Sequence, residues 1–237
     1  MTTALVIETS SAYCSLALHV DGKDFVVHKL LQRQHNQFLL SLLDELFAQA
    51  QILPTQVEVI GFGCGPGSFT GVRIAAAATQ AIGFTANAQI VRIPSDEFLL
   101  YSIPQPRQAQ SQRWICSIRS RGQAYYVSQF EKQAGVWQER QPASLMELPS
   151  AWLDEPFITQ DTGFVGEIPE WLASQVQQLD ENLICNPESN AAALLPVVIE
   201  RFHQGLAQTA EEALPTYLHG DSPWQKKGAK ESAKTAG

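Results

Sequence analysis

The sequence predicts an α/β fold in which mixed sheets are flanked by helices. Residues 4–30 hold three strand-like apolar segments, a glycine-rich turn separates a strand from a small-residue helix between residues 57 and 82, and a further strand-like segment follows at residues 90–93. An antiparallel meander that leads into strand–helix–strand crossovers is typical of a mixed sheet with helices on its faces. The predicted element order is therefore β-β-β-α-β-α-β.

The meander and the first helix each follow a clear local pattern. The three strands are predicted at residues 4–7, 14–20 and 25–30. Asp21-Gly22 is a two-residue hairpin signal, because glycine accepts the positive φ of a primed turn. We expect Asn36 to cap the following helix, since apolar residues then recur every three or four positions until Pro54 ends the pattern. This order is the layout of the ribonuclease H-like fold.

The decapeptide GPGSFTGVRI occupies residues 65–74 and joins a strand to the second helix. The apolar strand at residues 57–62 is expected to end at the glycines, because they permit backbone angles that other residues avoid. Ser68 or Thr70 is expected to accept a hydrogen bond from the first free N–H groups of the helix. The turn thus fixes where the strand ends and where the helix begins.

The same turn does not match the known phosphate-binding loops. A P-loop requires Lys followed by Ser or Thr after its last glycine, whereas Gly71 is followed by Val72 and Arg73. The spacing GxGxxxG is also one residue longer than the dinucleotide fingerprint. The sequence favours a structural role for these glycines over phosphate binding.

The helix after the turn is slim, because many of its side chains are small. These residues are Ala75, Ala76, Ala77, Ala78, Ala81 and Gly83. Small side chains allow another helix to approach closely. That neighbour is either a part of the same chain or another subunit, and the pattern alone leaves both alternatives open.

Composition indicates a globular protein with a substantial core, since 45% of its 237 residues are hydrophobic. The apolar runs are shorter than a membrane span, and the start MTTALVIETSS lacks the features of a secretion signal, so we expect no membrane partner and a cytoplasmic location. The four cysteines are far apart and lack zinc-site spacing, so we expect them to be reduced and mostly buried.

The formal net charge is −8, and four lysines crowd the end of the chain. Proteins that bind nucleic acid draw much of their affinity from Lys and Arg on phosphates, so this chain is a poor candidate for binding RNA alone. We interpret residues 219–237 as a Lys-rich, flexible tail. A stand-alone RNA-binding role for that tail is the rival interpretation.

The second half of the chain is less clearly patterned. A polar, proline-containing stretch at residues 103–111 indicates a boundary. Strands are predicted at residues 114–118 and 124–130, and Val136, Trp137 and Leu145 extend the sheet. Helices are predicted at residues 169–177 and 190–203, with Gly205 after the second.

Residues with chemical potential are few. Glu8, Thr9 and Ser10 follow the first strand, where sugar kinases and actin-like ATPases carry a metal-organising acid and phosphate-binding hydroxyls. A capped turn explains them as well, so we regard them as possible vestigial nucleotide-site positions. The five histidines are scattered without an HxxxH pair, and no GxSxG elbow occurs, so we predict neither a metal site nor a catalytic nucleophile.

GPGSFTGVRI closely resembles the signature of the TsaB (YeaZ) family, a subunit of the bacterial machinery that makes threonylcarbamoyladenosine at position 37 of tRNA. LVIETSSAYCSLAL, RQHNQFLLSLLDEL and LPTYLHGDSPWQKK resemble the family's first two strands, first helix and C-terminal end. The resemblance implies two ribonuclease H-like subdomains of the actin-like and Hsp70-like ATPase superfamily. We therefore predict subdomains at residues 1–105 and 106–218, followed by the tail at 219–237.

The resemblance also implies a non-catalytic subunit that pairs with a TsaD-like catalytic paralogue and joins a TsaE-like ATPase. The chain alone is expected to form a homodimer and to bind no cofactor, with ATP and metal on the partner subunits and tRNA contacted through the complex. In the family the first two helices form the pairing surface. By position, the implied interface contains His35, Phe38, Leu42, Gly65, Gly67, Ser68, Phe69, Thr70, Gly71, Arg73, Ala75 and Ala78.

Several positions depart from the family pattern. Glu8 stands where Asp is usual, Ala75 where Gly is usual, and Ile118, Ser120 and His219 replace other family residues. An actin-like nucleotide-binding phosphotransferase, or an inactive homologue of the M22-type peptidases, is the alternative function. Nucleotide binding by the chain alone would distinguish this enzyme class from a scaffold.

Overall fold

The computed structural model describes residues 2–32, 34–148 and 158–218. Within these residues, ten strands form two five-stranded sheets. The first sheet and its following helices comprise β1 (Ala4–Glu8), β2 (Tyr13–Val20), β3 (Lys23–Leu30), α1 (His35–Ala50), β4 (Val59–Gly65), α2 (Phe69–Ala86), β5 (Gln89–Pro94), α3 (Ser95–Tyr101) and α4 (Gln105–Gln108). The later elements are β6 (Arg113–Arg119), β7 (Tyr125–Gln133), β8 (Val136–Met146), β9 (Gly163–Gly166), α5 (Ala173–Val176), β10 (Ile184–Cys185) and α6 (Leu195–His203).

The first sheet has the order β3-β2-β1-β4-β5. β2 is antiparallel to β1 and to β3, whereas β4 and β5 run parallel to β1. The central strand β1 is buried along its whole length. The order β-β-β-α-β-α-β predicted from the sequence is confirmed.

Alternate residues of β1 contribute to two separate cores, as the two-residue period of a strand requires. Leu5 and Ile7 pack in a cluster with α1 and α2. Ala4 and Val6 pack in the cluster that contains α6 and its preceding turn. The first sheet is therefore covered by helices on both faces.

The second sheet repeats the topology of the first. Its order is β10-β9-β6-β7-β8, with β6–β7 and β7–β8 antiparallel and β9 and β10 parallel to β6. When the second sheet is read as β8-β7-β6-β9-β10, its strand pairs have the same directions as those of β3-β2-β1-β4-β5 in the first sheet. Two such mixed sheets, each starting with an antiparallel meander, constitute the paired ribonuclease H-like fold of the actin-like superfamily.

The chain returns to the first sheet after it has completed the second. Leu194, Leu195 and Val198 pack against Ala4 and Val6 of β1. β4 accommodates this packing through Gly61, where a Cβ would lie 2.3 Å from Cγ2 of Val198.

The division after residue 105 stays a prediction, and the tail at 219–237 lies outside the described residues.

Several element boundaries differ from the sequence-based expectation. Helix α1 begins at His35 after Gln34, and Asn36 does not cap it. β4 continues to Gly65 instead of ending at residue 62, because two of its glycines serve close packing inside the strand. The helix predicted at residues 169–177 is a 3₁₀ turn followed by the single turn α5.

The predicted helix at residues 190–203 is also divided. Asn190 accepts a hydrogen bond from Ala192 N–H at 3.0 Å and caps a 3₁₀ turn. Helix α6 begins afterwards at Leu195, with Pro196 in its first turn, the position where a missing N–H is tolerated. In the part of the chain that the structure describes, no helix has the length and hydropathy needed to cross a bilayer.

Candidate functional site

The GPGSFTGVRI turn leaves the end of β4 and enters α2. Gly65 adopts a φ of +102°, a conformation that side-chain-bearing residues rarely adopt. Gly71 N–H donates to Oγ of Ser68 at 3.2 Å. Ser68, one of the two capping residues considered, is therefore the N-cap of α2.

This turn packs directly against the turn that follows β1. Ser68 N–H donates to the carbonyl of Ser10 at 2.8 Å. In the opposite direction, the Thr9 hydroxyl donates to the carbonyl of Gly71 at 2.8 Å. A Cβ on Gly71 would lie 1.9 Å from the Thr9 carbonyl oxygen, so only glycine permits this approach.

Glu8 lies beneath these two turns and is fully buried. One carboxylate oxygen accepts a hydrogen bond from Ser10 N–H, while Oε2 has no partner among the described residues. A Cβ on Gly63 would lie 1.9 Å from Oε2, so this glycine of β4 provides the space for the carboxyl group. Burial raises the pKa of Glu8 to about 7.

A cleft of about 330 Å³ lies between the two sheets. Hydroxyl groups form part of its wall: Ser95 Oγ donates to Ser10 Oγ at 3.0 Å, and the buried Ser117 Oγ has no partner among the described residues. Arg119 and Glu167 also line it, with Arg119 Nη1 3.7 Å from a Glu167 oxygen. The cleft therefore combines apolar lining with hydroxyl groups and charges of both signs.

Three side chains close one side of this cleft. The rings of Tyr13 and His28 are stacked with centroids 4.8 Å apart. Tyr13 OH donates to the Glu188 carboxylate, and His28 Nε2 lies 2.9 Å from Glu188 Oε2. The hydrogen bonds from Tyr13 and His28 lower the pKa of Glu188. This cluster connects the meander of the first sheet to the segment after β10.

At the N-terminus of α2, the N–H groups of Phe69 and Thr70 donate no hydrogen bond to the described residues, whereas the neighbouring N–H groups are used. The N–H groups of Ser68, Gly71 and Val72 donate to Ser10 O, Ser68 Oγ and Ser68 O respectively. A phosphate at this turn would require such donors. Within the described ranges, no three His, Cys, Asp or Glu side chains come together as metal ligands would.

The structure divides the residues predicted to form the partner interface into two groups. Buried in the chain itself are His35, Leu42, Gly65, Gly71, Ala75 and Ala78. Exposed or partly exposed are Phe38, Gly67, Ser68, Phe69, Thr70 and Arg73. Leu42, Ala75 and Ala78 belong to the core under α1 and α2, and His35 Nε2 lies 3.0 Å from the Ser11 carbonyl. The role of these buried residues at an interface stays a prediction.

The slim helix uses its two sides differently. Ala75, Ala76 and Ala78 pack on the first sheet, and a Cβ on Gly83 would lie 3.0 Å from Cβ of Ala210. For this side the close neighbour is therefore internal. The opposite side is exposed, and together with Phe38 of the adjacent α1 it forms what we call the α1–α2 surface: Phe38, Phe69, Thr70, Arg73, Ala77, Ala81 and Phe84.

Sequence reasoning missed the C-terminal segment beside this surface. Thr216 N–H donates to the carbonyl of Cys64 at 2.7 Å, and the Tyr217 ring lies 6.3 Å from the Phe69 ring. Sequence reasoning also did not predict that Gly61 makes room for Val198 and that Gly63 makes room for the Glu8 carboxyl group. The C-terminal motif LPTYLHGDSPWQKK is the one signal in the sequence for this segment, and it has no pattern that indicates this contact.

Comparisons with known proteins agree with this geometry. A family model described as "TsaD: tRNA N6-adenosine threonylcarbamoyltransferase" matches residues 23–148. The tRNA threonylcarbamoyladenosine biosynthesis protein TsaB of Haemophilus influenzae is 27% identical over 94% of this chain and 96% of its own length. The TsaB protein of Escherichia coli is 25% identical over 96% of this chain and 99% of its own length.

A solved structure shows the same fold. The structure of YeaZ from Pseudomonas aeruginosa matches with a TM-score of 0.73 and 24% identity, covering 92% of this chain and 100% of that protein. The family model covers more than half of the present chain, and the TsaB relatives align with nearly all of it. The chain therefore belongs to the TsaB (YeaZ) family of TsaD-related proteins.

Proposed function

We propose that this chain is a non-catalytic subunit of the machinery that forms N6-threonylcarbamoyladenosine at position 37 of tRNA. In this role it pairs with a TsaD-like catalytic paralogue through the α1–α2 surface. The observation that carries the proposal is the exposure of Phe38, Phe69 and Phe84, which are 41%, 40% and 58% exposed on two neighbouring helices. Exposed aromatic side chains grouped on one side of a protein are typical of interaction sites.

The closed turn around Glu8 supports the non-catalytic part of the proposal. Its carboxyl group is sealed from solvent under Ser10 and Gly63. The turn that follows lacks the lysine of a P-loop, and Ser68 caps the N–H group of Gly71. In this proposal ATP and the metal ion are held by the partner subunits.

The remaining partners follow from the same arrangement. A TsaE-like ATPase joins the assembled pair, and a second copy of this chain covers the α1–α2 surface when the paralogue is absent. The net charge of −8 disfavours direct binding of a polyanion, so tRNA is contacted through the complex. A cytoplasmic location stays a prediction.

Size-exclusion chromatography of the purified chain mixed with the TsaD-like and TsaE-like proteins of its own organism tests this proposal. We expect a pair with the paralogue and a ternary complex in the presence of nucleotide. Ala81→Trp should prevent pairing, because Ala81 is exposed on α2 and an interface tolerates little added volume. Ala78 is unsuitable for this purpose, since its side chain lies in the chain's own core.

The matched control is Ala109→Trp, which adds the same bulk at an exposed alanine after α4. It should pair as the unmodified chain does. Unimpaired pairing of Ala81→Trp would contradict the assignment of this surface. Turnover of substrate by the chain alone, or ATP binding that Glu8→Ala abolishes, would instead favour the phosphotransferase alternative.

A further inference from the structure

Arg73 is held between two aromatic rings on the α1–α2 surface. Its guanidinium carbon lies 3.2 Å from the centroid of the Phe69 ring and 4.9 Å from that of the Tyr217 ring. Stacking on aromatic faces restricts a guanidinium to one plane and leaves its N–H edges available. The side chain is thus oriented before any partner binds.

The second ring is fixed by contacts of the preceding residue. Thr216 N–H donates to the carbonyl of Cys64 at 2.7 Å, and Arg92 Nη2 donates to the Thr216 hydroxyl at 2.7 Å. These bonds attach the C-terminal segment to the end of β4 and to β5. Tyr217 therefore reaches Arg73 from a rigid part of the fold.

The edges of the Arg73 guanidinium are largely unused. One of its five N–H groups donates to the carbonyl of Phe69 at 2.8 Å. No carboxylate in the described ranges forms an ion pair with it, whereas Arg113, Arg119 and Arg201 each lie against a glutamate. The partly exposed Arg73 side chain thus keeps N–H groups that are available to a partner.

We infer that Arg73 is a receptor for a carboxylate, and that the TsaD-like partner supplies this group from an Asp or Glu side chain. The inference rests on the proposed function, because it specifies the chemistry of that surface. A planar guanidinium with free edges matches a carboxylate in a two-bond geometry. The adjacent rings of Phe69 and Tyr217 and the acidic charge of the chain favour a protein surface over a nucleic acid as the source.

Affinity measurements with the purified TsaD-like protein at several salt concentrations test the inference. Arg73→Gln should raise the Kd about 10- to 100-fold, the range expected for loss of a charge-assisted hydrogen bond. It should also reduce the dependence of the Kd on salt. Arg73→Lys keeps the charge but not the planar fork, so it should give an intermediate affinity and keep the salt dependence.

The matched control is Lys132→Gln, which removes a cation that lies over the ring of Trp137 in the second sheet. Its Kd should stay within about twofold of that of the unmodified chain. Circular dichroism and thermal unfolding should show that the variants fold. If Arg73→Gln does not fold, two other measurements test the inference: the salt dependence of the Kd of the unmodified chain and the affinity of Arg73→Lys.

The outcomes separate the inference from the proposed function. Failure of the unmodified chain to bind the paralogue would overturn both. Normal binding by Arg73→Gln, or equal losses for Gln and Lys with unchanged salt dependence, would overturn the carboxylate receptor and leave the proposed pairing intact. Loss of tRNA binding in Arg73→Gln, with unchanged binding of the paralogue, would show a phosphate contact instead and overturn the inference.

Discussion

The first and second sheets have the same strand order, yet the helices that cover them differ greatly in length. Helices α1 and α2 of the first sheet contain 16 and 18 residues. In the described part of the second unit, the helix between β9 and β10 is α5, which has four residues. A shared topology therefore does not determine which half presents a large helical surface. Here the candidate interaction residues lie on the long helices.

The two halves are alike in that both bury polar side-chain atoms without partners among the described residues. Asp96 at the start of α3 is buried, and its Oδ2 has no partner among the described residues. Ser117, Ser128 and Gln129 of the second sheet likewise bury polar atoms that lack partners in the described ranges. Helices α1 and α2 also bury such atoms, at His35 Nδ1 and Thr79 Oγ1, although most of the core beneath them is apolar.

The largest expected effect comes from truncating equivalent phenylalanines. Phe62 of β4 and Phe164 of β9 are both fully buried and lie on corresponding strands of the two sheets. Phe62→Ala should cost about 4–5 kcal/mol of unfolding free energy and Phe164→Ala about 3 kcal/mol, because long packed helices collapse less readily into a cavity. Urea titration measures both values; equal losses would show that helix length does not matter here.

A second expected effect concerns two buried acids, one at the end of β1 and one at the start of α3. The pKa of Glu8 is raised from 4.5 to about 7, so the folded state holds its proton more tightly than the unfolded state. The free energy of unfolding should therefore fall as pH rises through this window, by about 3 kcal/mol at most. Glu8→Gln should remove this fall.

Asp96 provides the matched comparison for Glu8. Its pKa is raised by burial from 3.8 to about 6, so the stability that it contributes is lost over a lower pH range than that of Glu8. Asp96→Asn should remove only the part of the decline that Asp96 contributes between about pH 4 and 6, and leave the part that Glu8 contributes up to about pH 7. Titrations of stability against pH that coincide for the two variants would contradict this assignment.

A smaller effect is expected from the ion pair that joins α3 to α6. Arg201 donates two hydrogen bonds to Glu97, whose side chain is 10% exposed. Arg201→Gln should cost about 2 kcal/mol, less than a fully buried pair because Arg201 remains partly accessible. Arg119→Gln is the control, since its ion pair with Glu167 is exposed and should contribute less than about 1 kcal/mol.

The smallest effect is expected at the cap of α2. Ser68→Ala should cost about 1 kcal/mol, because Gly71 N–H loses its side-chain acceptor. Thr70→Ala should be nearly neutral, since Ser68 and not Thr70 is the cap. A larger loss at Thr70 than at Ser68, measured by thermal unfolding, would contradict the observed capping geometry.

Local patterns explain which elements could be predicted. The meander, α1 and α2 carry repeated apolar periods and turn residues, so their order was clear from the sequence. β9 and β10 have four and two residues, too few to show a period. The return of α6 to the first sheet depends on a contact between Gly61 and Val198, for which the sequence has no local signal.

The candidate site shows the same limit. The turn, the capping residue and the two helices could be predicted, because neighbouring residues specify them. The division of α2 into a buried and an exposed side could not be predicted, because alanine is compatible with both a core and a surface position. The contact of Tyr217 with Arg73 was also unpredictable, because it joins segments that are distant along the chain.

The return of α6 has a consequence for biosynthesis. Until the ribosome has released the segment that contains Leu194 and Val198, the face of the first sheet formed by Ala4, Val6 and Val59 has no cover. The N-terminal half of a nascent chain therefore carries an apolar face that only the end of translation can bury. Premature termination before α6 should yield fragments that require chaperones or are degraded.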